Sequence, residues 1–223
     1  MKKDLIAHQF MHDKRIKQAK ELILEAIQEY QKKISSVLPP NPDLQKEYTK
    51  LLEALKEARG QKLFCPYIGS GIGNGALVQL LDGSVKYDFI CGIGPHYFGH
   101  SHPHIISAAI DAACSDTIMQ GNLQQNVEPL EFANLMIKCS KMDHCFLTSS
   151  GAMANENALK IAFQKNSPAS RILSFEKGFA GRTLALSQLT DKPSFREGLP
   201  LTYAVDYVPF YDPLHPEEST TKA

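Results

Sequence analysis

Apolar residues in the first part of the chain recur every three to four positions. From residue 14 to residue 38 this spacing predicts a helix with one apolar face, because an α-helix completes a turn every ~3.6 residues. Pro39 and Pro40 follow directly. Proline interrupts helical hydrogen bonding, so we expect this helix to end there.

A second apolar face follows the prolines and predicts a second helix. Either Asn41 or Asp43 is expected to cap its first turn, since both side chains accept hydrogen bonds from free backbone N–H groups. Gly60 is expected to end it. Residues 1–60 hold no pattern typical of chemistry, so we interpret them as a helical N-terminal extension that packs or mediates oligomerisation.

The pattern changes after residue 60, where glycines and short apolar runs replace the helical spacing. Two such runs flank Asp82-Gly83, a pair typical of a tight hairpin turn. The preceding GSGIGNG (residues 69–75) resembles a nucleotide-binding glycine loop, but no helical pattern follows it, which disfavours a dinucleotide site. We therefore expect residues 61–102 to contain a β-hairpin.

From residue 103 onward, helical and strand patterns alternate. The expected helices cover residues 104–115, 130–139 and 152–164, and the expected strands cover residues 144–148, 171–175 and 203–208. Strands that alternate with helices are typical of a mostly parallel sheet covered on both faces, so we assign the chain to the α/β class.

Composition narrows the classes of function. The chain has 24 Lys+Arg and 24 Asp+Glu, which argues against a broad nucleic-acid surface. No apolar run reaches the ~18 residues of a membrane span. The five cysteines form no CxxC pair, and no secretory signal precedes them. We therefore interpret them as free thiols and expect a cytoplasmic protein.

The junction between the expected strand 144–148 and the helix after it carries candidate chemistry. Ser149, Ser150 and Gly151 form this junction. Free N–H groups and the dipole at a helix start favour an anion, and the two hydroxyls add donors. These residues predict either a phosphate or carboxylate site or an ordinary helix cap.

Three motifs, in the same order along the chain, resemble those of a known protein family. SSGAMANENALKIA (residues 149–162) resembles the NSGxEANExALKLA signature of class III pyridoxal-phosphate-dependent aminotransferases of the ornithine and acetylornithine type. DGSVKYDFICGIGPHYFGHSHP (residues 82–103) and FEKGFAGRTLALS (residues 175–187) are similar to two further motifs of that family. The resemblance covers about residues 62–212.

The resemblance implies a fold and an activity. The fold is the type I fold of pyridoxal-phosphate-dependent transferases, like that of aspartate aminotransferase, truncated within the large domain. Residues 61–102 would then be an N-terminal small-domain segment, and residues 103–223 the first part of the cofactor-binding large domain. The reaction would move an amino group from an amino acid or ω-amine to a 2-oxo acid. Pyridoxal 5'-phosphate is the implied cofactor and a homodimer the implied assembly.

The resemblance also assigns residues to the cofactor. Ser150, Gly151 and Ala152 would cradle its phosphate, and Phe179 would lie on one face of its pyridine ring. An aromatic side chain suits that role, because offset stacking holds a ring plane.

Three further residues are assigned to the substrate. Arg182 would clamp its carboxylate, since a guanidinium binds carboxylate with two parallel hydrogen bonds. Ile93 and Gly94 would lie near the substrate entrance. His100 and His102 have a spacing that could suit a metal, but in the family this motif is structural, so we predict no metal site.

The chain also departs from the family pattern. Ser149, Met153 and Ala180 replace the usual Asn, Glu and His or Trp, which alters the expected pocket wall. No motif supplies the Schiff-base lysine or the acidic partner of the pyridine nitrogen, so we name no catalytic residue and expect little activity from this chain alone. The alternatives are a non-catalytic binding or regulatory protein derived from an aminotransferase, or one chain of a split enzyme.

Overall fold

The computed structural model describes residues 5–116 and 123–222. The chain divides into two compact units, Met1–Thr117 and Ile118–Ala223. No helix in the described residues is both long enough and apolar enough to cross a membrane.

The described part of the first unit contains four α-helices: α1 (Ile6–Met11), α2 (Lys14–Gln31), α3 (Pro42–Arg59) and α4 (Pro103–Ala113). Asp13 caps α2, because its carboxylate accepts a hydrogen bond from the Arg15 N–H at 2.8 Å. Helix α2 packs on α4, and Lys20 Nζ lies 2.6 Å from Asp111 Oδ2 across that contact.

The first predicted helix ends earlier than its apolar pattern indicates. We expected it to reach residue 38, but α2 ends at Gln31. The backbone of Leu38 instead pairs with that of Val85 through two hydrogen bonds, at 3.0 and 3.1 Å. An extended pairing and a helix cannot use the same N–H group, so the chain leaves the helix before the prolines.

The second predicted helix is confirmed with its ends. Asn41, not Asp43, is the cap, and its side chain accepts the Asp43 N–H at 3.0 Å. Gly60 follows the last turn with φ 72°, a left-handed conformation that glycine adopts without strain.

The predicted hairpin is also confirmed and belongs to a three-stranded sheet. Strand β1 (Gly69–Asn74) pairs with β2 (Leu77–Leu80), which pairs with β3 (Val85–Tyr87), all antiparallel. Val78, Leu80 and Val85 are buried and form its apolar core. The glycine-rich stretch is therefore mostly a strand, which the sequence analysis did not predict.

The helical extension is joined to this sheet by side-chain amides, of which that of Gln31 is buried. Gln31 Nε2 donates to the carbonyls of Gly73 at 3.1 Å and Ser101 at 3.0 Å. Asn74 Nδ2 donates in return to the carbonyls of Gln31 and Ile34. The Tyr48 hydroxyl of α3 adds a bond to the chain just before β1. The extension thus shares one core with the hairpin.

The second unit contains the alternating elements. They are α5 (Val127–Ser140), α6 (Gly151–Lys165), β4 (Arg171–Phe175), α7 (Leu186–Leu189), β5 (Ala204–Val208) and α8 (Pro216–Lys222). Strands β4 and β5 are parallel, in register from Arg171↔Ala204 to Phe175↔Val208, as the α/β pattern predicts. The buried residues Leu186, Ser187, Gln188 and Thr190 lie in and beside the short helix α7.

The predicted strand 144–148 was wrong for this structure. Within the described residues, β4 and β5 pair only with each other, and residues 144–148 belong to no strand. A strand needs a neighbour to receive its N–H and C=O groups, and the described part of the second unit offers this segment none.

Candidate functional site

The start of α6 has the geometry of an anion-binding helix terminus. Ser150 is extended (φ −158°, ψ 159°), and its Oγ accepts the Met153 N–H at 3.2 Å. Gly151 and Ala152 are the first two residues of the helix, where backbone N–H groups have no intrahelical acceptor. A Cβ at Gly151 would meet no atom within 4 Å, so the space at this terminus is open.

The loop after β4, residues 176–183, lies against the same helix. The Asn155 side chain donates to the Ala180 carbonyl at 2.8 Å, and the Thr183 hydroxyl donates to Glu156. Gly181 has φ 140°, and a Cβ there would lie 2.7 Å from Leu186 Cδ1 and 3.2 Å from the Ala152 Cβ, so this close approach favours glycine. The structure therefore brings the candidate phosphate residues and the loop of Phe179 and Arg182 together.

Phe179 and Arg182 both point to solvent from this loop. The Phe179 side chain is 69% exposed, which leaves a free aromatic face. Arg182 is also exposed, and its Cζ lies 5.9 Å from the centre of the Phe195 ring. Lys192 Nζ lies 4.6 Å from the same ring centre. Two cations therefore lie near the ring of Phe195, a residue that no sequence pattern marked.

Thr190 and Asn155 fix the backbone of this loop, and neither was predicted from the sequence. Thr190 is only 2% exposed, and its hydroxyl bonds to the backbone of Ala180 and Gly181. Asp191 adds a second attachment by accepting the Lys177 N–H at 2.8 Å. Asn155 lies inside a recognised motif and Thr190 just after another, but neither has a spacing that signals its contact.

Ile93 and Gly94 belong to the first unit, and their role at a substrate entrance stays a prediction. They lie at the end of a short turn in which Ile93 has φ 60° and Gly94 has φ 113°. The Ile93 side chain is 92% exposed. Asp88 holds the start of this turn, because its Oδ1 accepts the N–H groups of Ile90 at 2.8 Å and Cys91 at 3.0 Å.

The histidine-rich motif has a structural partner. His100 Nε2 lies 2.7 Å from Asp88 Oδ2, and both side chains are buried. Burial by itself would raise the pKa of Asp88, but hydrogen bonds from His100 and from the backbone of Ile90 and Cys91 outweigh it, so the pKa is lowered. Among the described residues, no group of three His, Cys, Asp or Glu side chains is placed to hold a metal ion.

An open cleft of about 700 Å³ lies beside the first turns of α6. Pro129, Leu130 and Ala133 of α5 line one side, and residues 145–149 line another. Met153 and Asn157 of α6 complete it. Ser149 lines this cleft, whereas Ser150, Gly151 and Ala152 do not, so the cleft adjoins the candidate phosphate site without including it.

Comparison with known proteins places this geometry in a family. The profile of the aminotransferase class-III family matches residues 57–223, most of the chain and every residue of the candidate site. The chain belongs to the class III aminotransferases. Among curated class III relatives, it is 34% identical over 146 residues to acetylornithine aminotransferase of Methanocaldococcus jannaschii and 35% identical over 141 residues to that of Bacillus anthracis. Each match covers 63% of this chain and 36% of the relative, so the matched chain spans about a third of the relatives' length.

Solved structures confirm the expected fold class. The ornithine aminotransferase of Toxoplasma gondii superposes with a TM-score of 0.64 at 23% identity, covering 74% of this chain and 41% of that one. The ω-transaminase of Pseudomonas jessenii, solved in complex with PMP, gives a TM-score of 0.59 at 23% identity, with 71% and 36% covered. At this identity the likeness establishes the transaminase fold alone.

Proposed function

We propose that this class III chain forms part of a pyridoxal-phosphate-dependent transaminase that moves an amino group from an amino acid or ω-amine to a 2-oxo acid. The observation that carries the proposal is the contact between the start of α6 and the loop of Phe179 and Arg182. One short region would thereby offer donors for an anion, an aromatic face and a cation for a carboxylate. The named relatives support the same reaction class.

The residues present fit the cofactor. The N–H groups of Gly151 and Ala152 and the Ser150 hydroxyl would hold its phosphate, because donors and the helix dipole converge at this open terminus. The exposed face of Phe179 would hold the plane of its pyridine ring. Bound there, the cofactor supplies the electron sink that amino-group transfer requires.

Arg182 would orient the substrate. Its guanidinium can bind a carboxylate with two parallel hydrogen bonds, and its placement above the Phe195 ring limits where it can reach. We assign the covalent attachment of the cofactor aldehyde to no lysine of this chain. A cytoplasmic homodimer, with amino acid and 2-oxo acid as its substrates, is the assembly we propose.

Titration of the chain with pyridoxal 5'-phosphate, followed by borohydride reduction and peptide mapping, tests the cofactor site. We expect reversible binding without a reduced adduct on a single lysine. Phe179→Leu should weaken this binding about threefold to tenfold, because it removes an aromatic stacking contact. Phe175→Leu is the matched control, since Phe175 is 51% exposed and contacts Phe210 rather than the candidate site.

Two results would count against the proposal. One is the absence of any binding to the folded chain. The other is equal weakening by Phe179→Leu and Phe175→Leu, which would point to non-specific association with apolar surface. A reduced adduct on one lysine would instead show that this chain carries its own covalent anchor.

A further inference from the structure

The dipeptide Ala180-Gly181 separates Phe179 from Arg182, and two side chains bind all four of its backbone polar groups. Thr190 Oγ1 accepts the N–H groups of Ala180 at 3.0 Å and Gly181 at 3.2 Å. The same hydroxyl donates to the Gly181 carbonyl at 2.8 Å. Asn155 Nδ2 donates to the Ala180 carbonyl at 2.8 Å.

The Thr190 hydroxyl is itself held in place. A hydroxyl has one donor and two acceptor sites, and here the loop takes all three. The Thr190 backbone is fixed on both sides, because its N–H donates to the Leu186 carbonyl at 2.9 Å and its carbonyl accepts from Arg196 Nη1 at 2.8 Å. Because this hydroxyl is buried and all its hydrogen-bonding sites are used, it holds the backbone of Ala180 and Gly181 in a single conformation.

Packing does not hold the Phe179 side chain in place. Its side chain is 69% exposed, so few neighbouring atoms restrict the ring. The position of the ring therefore depends on the backbone that follows it. Asn155 lies on α6, about one turn beyond Gly151, so its bond to Ala180 also sets the distance between the loop and the helix start.

From this geometry we infer that Thr190 and Asn155 are positioning residues for the candidate cofactor site. They clamp the dipeptide Ala180-Gly181 so that the Phe179 ring stands at a fixed distance from the start of α6. This inference rests on the proposed function for its purpose, but the clamp itself can be measured without any cofactor.

The chain contains no tryptophan, which makes a single reporter possible. Phe179→Trp places that reporter at the ring position. In this background we compare Thr190→Val, Thr190→Ser and Asn155→Ala with the control Ser174→Ala. Ser174 Oγ donates to the Leu189 carbonyl at 2.8 Å and does not touch the loop, so the control removes a comparable hydrogen bond nearby.

Two readouts are taken from each folded variant. The fluorescence anisotropy of the indole, without cofactor, reports the mobility of the ring position. Quenching of the indole by pyridoxal 5'-phosphate reports binding. We expect Thr190→Val to lower the anisotropy, since three hydrogen bonds are lost. It should also weaken the binding of pyridoxal 5'-phosphate, measured by quenching, about tenfold. Thr190→Ser should restore both values, and Ser174→Ala should change neither.

Asn155→Ala keeps the test decisive if Thr190→Val does not fold. Asn155 is exposed on a helix, where alanine is the better helix former, so this variant should fold and still lower the anisotropy. Unchanged anisotropy in folded Thr190→Val and in Asn155→Ala would overturn the inference, as would failure of Thr190→Ser to restore it. If the anisotropy falls as expected but pyridoxal 5'-phosphate quenches no variant, the clamp stands and the proposed function fails.

Discussion

Asp88 is a buried carboxylate that serves two partners. One oxygen faces His100, and the other accepts two backbone N–H groups at the start of the turn that leads to Ile93. Because these bonds favour the charged form, folding lowers the pKa of Asp88 below its usual 3.8. The carboxylate therefore stabilises the fold only while it is ionised.

Because of this pKa shift, we expect the free energy of unfolding of the first unit to fall at acidic pH. The unfolded chain binds the Asp88 proton more tightly, so the contribution is present above pH 3.8 and is lost as the pH falls through the lower folded pKa. Asp88→Asn should cost about 2 kcal/mol near neutral pH and reduce the loss on acidification. Urea unfolding over a series of pH values measures both effects.

The control for Asp88 is Glu47→Gln. Glu47 is 69% exposed and lies 3.7 Å from Lys50, and an exposed pair of this kind contributes little to stability. If the free energy of unfolding of Asp88→Asn falls with acidification as steeply as that of the unsubstituted chain, the role assigned to this carboxylate is contradicted.

At the scale of elements, the turn over residues 91–94 has an uncommon backbone. Four residues in succession have positive φ: Cys91, Gly92, Ile93 and Gly94. Glycine adopts such angles freely, but a β-branched residue does so only with strain. Ile93 is therefore a strained residue in an exposed position, where its side chain returns little packing energy.

Removing the Ile93 side chain should relieve that strain. We expect Ile93→Gly to raise the free energy of unfolding by about 0.5–1 kcal/mol, as the relief exceeds the added entropy of the unfolded chain. Ile90→Gly is the control, because Ile90 has φ −95° and is 55% exposed. Glycine there should lower stability by about 0.5–1 kcal/mol. Equal effects in urea unfolding would show that the turn stores no strain at Ile93.

The sequence predicted those elements whose causes are local. The Asp82-Gly83 hairpin and a helix cap at Asn41 or Asp43 depend on neighbours a few positions away, and both are found, with Asn41 as the cap. The strand 144–148 and the end of α2 depend on distant partners, and both predictions failed. A strand forms only beside another strand, and α2 ends where the chain turns to pair Leu38 with Val85.

The candidate site divides in the same way. Ser150 and Gly151 lie at a helix start that the local pattern predicts, whereas Ala152 came from the family resemblance. Phe179 and Arg182 came only from the family resemblance, because an exposed aromatic and an exposed cation have no distinctive spacing. Asn155 bonds to Ala180 across 25 residues of sequence, and Thr190 bonds to it across 10. No local pattern indicates either contact, so both are found only in the folded structure.

At the scale of the whole molecule, the family match and the folded units have different limits. The match begins at residue 57, within α3, whereas the first unit includes α2 and the rest of α3. Gln31, Ile34 and Tyr48, all buried, precede that limit. The carbonyls of Gly73 and Ser101 therefore depend on donors outside the matched residues.

Deletion of residues 1–56 should loosen the first unit. We expect amide hydrogen exchange in β1, β2 and β3 to accelerate more than about tenfold, because the sheet loses its cover and its buried donors. Deletion of residues 1–12 is the control, since α1 has no buried residue and Asp13 still caps α2. Comparable exchange after both deletions would show that the extension does not stabilise the sheet.

The amide of Gln31 also bears on how this chain could be recombined with another. A chimaera joined at residue 57 would take the Gln31 donor from one parent and its acceptors at Gly73 and Ser101 from the other. A crossover at the start of the family match would therefore cut through a hydrogen-bonded core. A crossover that keeps residues 5–116 from a single parent leaves those bonds intact. Chimaeras of this chain should therefore be joined outside the first folded unit and not at residue 57, where the family match begins.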